Sequence, residues 1–171
     1  MDKFLFRLRT IYVFSLKHLT LGLVVVSGLG VLTMTAVTCL DIILRMKPLN
    51  RPITGAYDIV QIAGCISLAA ALPYTTAVKG HVAIEFFFQK FNRRGRIIVD
   101  SFMRLMAMAL FYLMGHHCII YGNSMLKAKQ VTQTLQLPIF WLPWLIGGCC
   151  FVVILVIAYN LVNPGREMIK P

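Results

Sequence analysis

Six acids, four histidines and five cysteines are the residues of this 171-residue chain whose chemistry could go beyond packing. His116 and His117 are of the type that ligates a metal or a haem. Adjacent helical residues point about 100° apart, so the two do not readily face one ligand. His81 and Glu85 share a helix face, but a lone HxxxE is a weak metal pattern. The cysteines at 39, 65, 118, 149 and 150 form no CxxC, and their odd number argues against a disulfide framework. They read as buried small apolar residues.

The acids fall into two patterns. Asp41 and Arg45 stand four apart, acid before base, and Asp100 and Arg104 repeat the arrangement. That order favours a helical ion pair, and near an interface the arginine can snorkel, so both pairs read as structural. Asp58 has no base three or four residues away; Tyr57 precedes it and Gln61 follows one turn later. Two readings stand: an acid complementing a helix N-terminus, or a buried contact to a neighbouring helix or a partner subunit. Nothing in the sequence forms a phosphate-binding P-loop or a nucleophile elbow, and no carboxylate lies midway through an apolar stretch. No catalytic, cofactor-binding or metal-ligating residue is expected.

The elements that position these residues belong to a membrane protein. Hydrophobic residues make up 58% of the chain and charged ones 13%, with a mean hydropathy of +0.77. A soluble domain carries about 25% charged residues. The net charge of +11 would point to nucleic acid in a soluble protein; here it reads as bases holding loops on one membrane face, with no nucleic-acid partner.

Charge-free windows at 18–40, 59–78, 105–126 and 130–165 mark the crossings. A crossing takes about 20 residues, and Pro138 and Pro143 start the helix inside the last, longest window. The sequence thus predicts an all-α membrane domain over 1–171, with helices at 19–44, 55–78, 97–121 and 139–162. Residues 1–18 are too long and aromatic for the n-region of a cleaved leader, the apolar stretch after them exceeds an h-region, and residues 1–17 predict an amphipathic interfacial segment. Trp141, Trp144 and Phe140 match an aromatic belt. Ala63, Ser67 and Ala71 form a small-residue stripe suited to close helix packing.

Eleven bases lie in the N-terminal, second-loop and C-terminal flanks, against five in the other two loops. The positive-inside rule then puts both termini and the segment 79–96 in the cytoplasm. Within that segment, Ala83, Ile84, Phe87, Phe88 and Phe91 share one helical face, with Lys90 and Arg93 on the other and Arg94 and Arg96 following. This predicts a cytoplasmic-side interfacial helix at 82–92, aromatics in the acyl boundary and bases toward anionic headgroups. The four bases, with Ile84, Phe87, Phe88 and Phe91, are the expected membrane anchor.

Arg45 ends helix one, KPLNRPITG leads to Tyr57 and Asp58 opening helix two, and LPYTTAVKGHVAIEFF closes it. This order resembles the DctQ-type small membrane subunit of tripartite ATP-independent periplasmic (TRAP) transporters, over nearly the whole length. That family often carries tryptophan and glutamate where Tyr57 and Asp58 stand. The resemblance implies a bacterial inner-membrane, multi-pass subunit that forms a heterodimer with a large TRAP membrane subunit. It implies a periplasmic binding protein as a transient partner and sodium-driven uptake of an organic acid, such as a sialic acid or a C4-dicarboxylate. The small subunit would brace the static scaffold of an elevator-like carrier and bind neither substrate nor cofactor.

Tyr57, Asp58, Gln61, Ala63, Ser67 and Ala71 are the packing candidates for such a subunit contact, and Lys47, Arg51, Lys127 and Lys129 the docking candidates for the binding protein. The alternatives are a four-helix membrane haem protein for electron transfer and a small multidrug exporter acting as a homodimer. The exporter normally needs an acid in the middle of helix one, whereas Asp41 lies at its end.

Overall fold

The computed structural model describes residues 2–46, 51–78 and 93–162. Four helices occupy them: α1, Asp2–Arg45; α2, Ala56–Ala77; α3, Arg93–Lys127; and α4, Trp141–Val162. Each holds a stretch long and apolar enough to cross a bilayer: Phe14–Arg45, Ala56–Ala77, Ser101–Lys127 and Trp141–Leu161. The segment expected to lie apart at 1–17 is helical from Asp2 and continuous with the first span. The expected interfacial helix at 82–92 falls outside the described residues.

The helices pack as an open row. Extensive contacts join α1 to α2, α2 to α4 and α4 to α3, so the spatial order is α1–α2–α4–α3. A closed bundle would add a fourth such contact between the first and last helix. The consequence is visible in burial. Of the most apolar stretch of each helix, 33% is buried in α2 and 44% in α4, against 0% in α1 and 11% in α3. The flanking helices therefore stay uncovered along most of their length.

Small residues set the approach at two of the seams. A Cβ on Gly30 would come within 3.0 Å of Ser67 Cβ and 3.1 Å of the Ala63 carbonyl oxygen. Ser67 Oγ donates to the Ser27 carbonyl at 2.9 Å and lies 3.3 Å from Ser27 Oγ. Ala63 and Ser67, predicted as a packing stripe, thus serve the α1–α2 seam inside the chain. At the α3–α4 seam a Cβ on Gly115 would meet Cys150 Cβ at 3.3 Å and the Gly147 carbonyl at 3.5 Å. With no hydrophobic drive between helices in lipid, such close dispersion contacts and hydrogen bonds hold the row together.

The two short loops lie at one end of the row, and the start of α1 and the end of the last helix lie at the other. At the terminal end Leu16, Ala77 and Val156 form a buried cluster joining α1, α2 and α4, flanked by Tyr74, Val78, Val152 and Tyr159. Tyr12 Oη donates to the Leu155 carbonyl at 2.9 Å, and burial pushes the Tyr12 hydroxyl above its ordinary value of 10.0, so it remains a donor at neutral pH.

Open packing also corrects one expectation for the cysteines. Cys149 and Cys150 are buried as expected, but Cys65 and Cys118 are half-buried and Cys39 is exposed, because α1 has a neighbour on one side only.

Candidate functional site: a clasp at the loop end

Asp58 occupies the first turn of α2 and is 1% exposed. Its Oδ2 accepts two backbone hydrogen bonds from the α3–α4 loop, from Thr134 N at 2.9 Å and Leu135 N at 2.7 Å. The helix-terminus reading of this acid is met; the other is met only in that the contact is buried, since it goes to a loop of the same chain and not to a neighbouring helix. It sits where the helix dipole favours a negative charge, and it makes a buried contact seventy-six residues away in sequence. Charge-assisted bonds to backbone amides are short and directional, so they fix a loop more firmly than apolar contact alone. Asp58 Oδ1 is buried with no hydrogen-bond partner among the described residues.

The loop that Asp58 grips is itself built to be held. α3 ends with Lys129 in the left-handed region (φ 50°), Lys129 N donating to Leu126 O at 3.2 Å and Gln130 N to Met125 O at 3.1 Å. This 6→1 and 5→2 pair is a Schellman ending, which satisfies carbonyls of the last turn. Val131 and Pro138 then form an antiparallel bridge. Inside it, Thr132 N donates to Leu137 O at 2.9 Å, and Leu137 N returns a bond to Thr132 Oγ1 at 3.0 Å. The turn between them carries Thr134 and Leu135 to Asp58.

Gly55 completes the grip. It immediately precedes α2 with φ +85°, a conformation that costs an L side chain about 1–2 kcal/mol. A Cβ there would also overlap the Leu135 side chain. Glycine thus supplies both the turn into α2 and the seat for Leu135.

The second loop-end acid plays a parallel part. Asp41 Oδ2 receives Arg45 Nε at 2.8 Å, the ion pair expected from the spacing, and Asp41 Oδ1 receives Ile53 N at 3.0 Å. Arg51 N donates to Leu44 O at 2.9 Å. The end of α1 is therefore tied to the chain entering α2, and α2 to the α3–α4 loop.

This arrangement brings the docking candidates to one end of the molecule. Arg51 lies in the first loop, Lys127 and Lys129 at the start of the second, all exposed, and the two loops touch through Gly55, Asp58 and Leu135. Lys47 lies outside the described residues. Of the packing candidates, Asp58, Ala63 and Ser67 are engaged within the chain, Ala71 is half-buried, and Tyr57 and Gln61 are exposed. Ile84, Phe87, Phe88, Lys90 and Phe91 fall outside the described residues, as do the side chains of Arg93, Arg94, Arg96 and Asp100.

The helix predicted at 97–121 would place His116 and His117 near its end; α3 continues to Lys127, so they stand near the middle of the span instead, and both are exposed. Among the described residues no cluster of three or more metal-ligating side chains occurs. Sequence reasoning missed Gly55, Thr132, Thr134 and Leu135. The glycine before the Asp58 helix turn was the legible signal; Thr134 and Leu135 act through backbone amides, which leave no trace in residue type, and Thr132 through a hydroxyl that closes its own turn.

No curated protein and no solved structure matches this chain. Among protein families, residues 34–166 match the DctQ component of tripartite ATP-independent periplasmic transporters, a stretch that takes in all of α2, α3 and α4, the end of α1 and the whole clasp. With four helices long and apolar enough to cross a membrane, a loop-end clasp of acids on backbone amides and that match over most of its length, the chain belongs to the DctQ family of small TRAP-transporter membrane subunits.

Proposed function

We propose that the chain braces the static scaffold of a large TRAP membrane subunit in a one-to-one heterodimer, in a sodium-driven system that takes up an organic acid such as a sialic acid or a C4-dicarboxylate. The observation that carries this reading is the open row: a four-helix chain leaving both flanking helices uncovered offers wide lateral surface. Such a shape suits a brace, whose work is to widen and hold another body in the bilayer.

The orientation belongs to the same proposal. By the positive-inside rule, the eleven bases of the N-terminal, second-loop and C-terminal flanks favour both termini in the cytoplasm of a bacterium and so the clasp at the periplasmic surface of the inner membrane. There Lys47, Arg51, Lys127 and Lys129 form a basic docking surface for a periplasmic binding protein, with salt-sensitive association. At the cytoplasmic surface, segment 82–92 with Lys90, Arg93, Arg94 and Arg96 anchors the subunit against tilting. The haem-protein and multidrug-exporter readings are not favoured by the family match.

Co-expression with the large membrane subunit tests the assignment. Affinity purification in mild detergent should recover the two chains one to one. Proteoliposomes should take up the acid only when both chains, the binding protein and a sodium gradient are present. Transport by this chain alone would refute the brace. Neutralising the four periplasmic bases should weaken binding-protein association and flatten its salt dependence, and reversing the four cytoplasmic charges should impair assembly or uptake.

A further inference from the structure

Two polar side chains stand where a bilayer is most apolar. The uncharged stretch of α3 runs from Leu105 to Leu126 between Arg104 and Lys127, and its midpoint falls between Gly115 and His116. At 1.5 Å per residue each bounding charge is about 17 Å away, while a hydrocarbon core is about 30 Å thick. His116 and its neighbour His117 therefore sit close to the mid-plane, and both are exposed on the surface of the chain.

Their neighbours do not satisfy them. His116 stacks on Tyr112 at 6.3 Å and meets the His117 ring edge-on at 6.0 Å, and neither imidazole hydrogen-bonds to a described residue. Several exposed hydroxyls and one imidazole in the spans are by contrast satisfied by their own helix. The hydroxyls of Thr33, Thr35 and Thr38 each donate to the carbonyl four residues back, at 2.8, 2.9 and 2.8 Å. Ser124 donates to the carbonyl three residues back, Tyr121 O, at 2.8 Å, and His18 Nδ1 lies 2.8 Å from Phe14 O. Those side chains can face lipid at little cost. An imidazole N–H facing hydrocarbon without an acceptor cannot.

The direction of the pair is also defined. α3 meets α4 through Gly115, Cys118 and Gly122. Stepping about 100° per residue, His116 and His117 flank the opposite side of the helix, beyond Tyr112, whose ring still meets Phe151 of α4 edge-on at 6.4 Å. That side has no partner within the described chain, because α3 ends the row.

We propose that this face of α3 receives a transmembrane helix of the large membrane subunit, and that this helix presents a hydrogen-bond acceptor, such as a carboxylate, amide or carbonyl oxygen, to His116 and His117. The proposal rests on assembly with that subunit and adds the contacting face and its chemistry. The uncovered flank of α1, where the hydroxyls of Thr33, Thr35 and Thr38 are self-satisfied, is by contrast assigned to lipid.

The test uses the co-expressed pair. A photo-crosslinking amino acid placed at His116 should join the large subunit, and one at Leu32 on α1 should label lipid. Replacing the pair (H116L with H117L) gives lipid a better surface, so a lipid-facing pair would leave recovery of the large subunit unchanged or raised. The proposal expects recovery to fall about tenfold, with the variant chain keeping its thermal midpoint in detergent, and expects H116Q with H117Q to retain more of it than leucine does. Unchanged recovery with leucine, or crosslinks at position 116 to lipid or to a second copy of this chain, overturns the α3 face. If the unmodified chain recovers no large subunit, the assembly reading falls and this proposal with it; stable wild-type recovery with a silent probe at 116 sinks the face alone.

Discussion

At the loop end, α1, α2 and the α3–α4 loop are joined by carboxylates on backbone amides; at the terminal end, α1, α2 and α4 are joined by Leu16, Ala77 and Val156. The first kind of joint is directional and tolerates little displacement, because charge-assisted hydrogen bonds lose strength steeply with angle. The second kind is set by shape and yields by small repacking. A loop facing water needs the first kind to hold one conformation, since water competes for every loose amide. Helices surrounded by lipid need only fit one another. The contrast teaches where this chain specifies a surface and where it merely holds its helices together.

Removing the Asp58 carboxylate should break that contrast most completely. Asp58→Ala leaves the Thr134 and Leu135 amides without acceptors and releases the whole 128–140 loop. Amide exchange at those two residues should quicken roughly hundredfold, and trypsin should cut at Lys127 and Lys129 where the native chain resists, while protection at Val156 stays unchanged. Loss of protection at both ends together would show that the two joints are one cooperative unit.

Gly55→Val should follow, since it combines left-handed strain with eviction of Leu135. A loss of roughly 2–3 kcal/mol is expected in a denaturant titration in detergent. Val156→Ala probes the other end and should cost about 1–2 kcal/mol without altering exchange at Thr134.

The smallest effect belongs to Tyr12→Phe, which removes a half-exposed hydrogen bond worth about 1 kcal/mol. Because the Tyr12 hydroxyl titrates above its usual 10.0, its contribution should be fully present at neutral pH. It should disappear only as strongly alkaline pH removes the proton, and the phenylalanine variant should lack that alkaline step.

The helices were legible because their cause is local. Uncharged runs at 18–40, 59–78, 105–126 and 130–165 read directly as spans, and the Asp41–Arg45 spacing announced an ion pair that the structure contains at 2.8 Å. Asp58 was legible as an acid in need of a partner. Its partners were not, because Thr134 and Leu135 contribute amides that any residue would offer. The order of the row was equally hidden, since which helix neighbours which depends on matching small residues such as Gly30 with Ser67 and Gly115 with Gly147 across long separations. The histidines were seen but misplaced, because the end of α3 is set by the Schellman turn at Lys129 rather than by any break in hydropathy.

α1 runs for 44 residues, about 66 Å, more than twice the depth of the hydrocarbon. It is fastened near one end through Tyr12 to Leu155 and near the other through Asp41 to Ile53. A lone helix of that length would answer a thinner bilayer by leaning over. With two fastenings it cannot lean by itself, so a change in membrane thickness must incline all four helices as one plate.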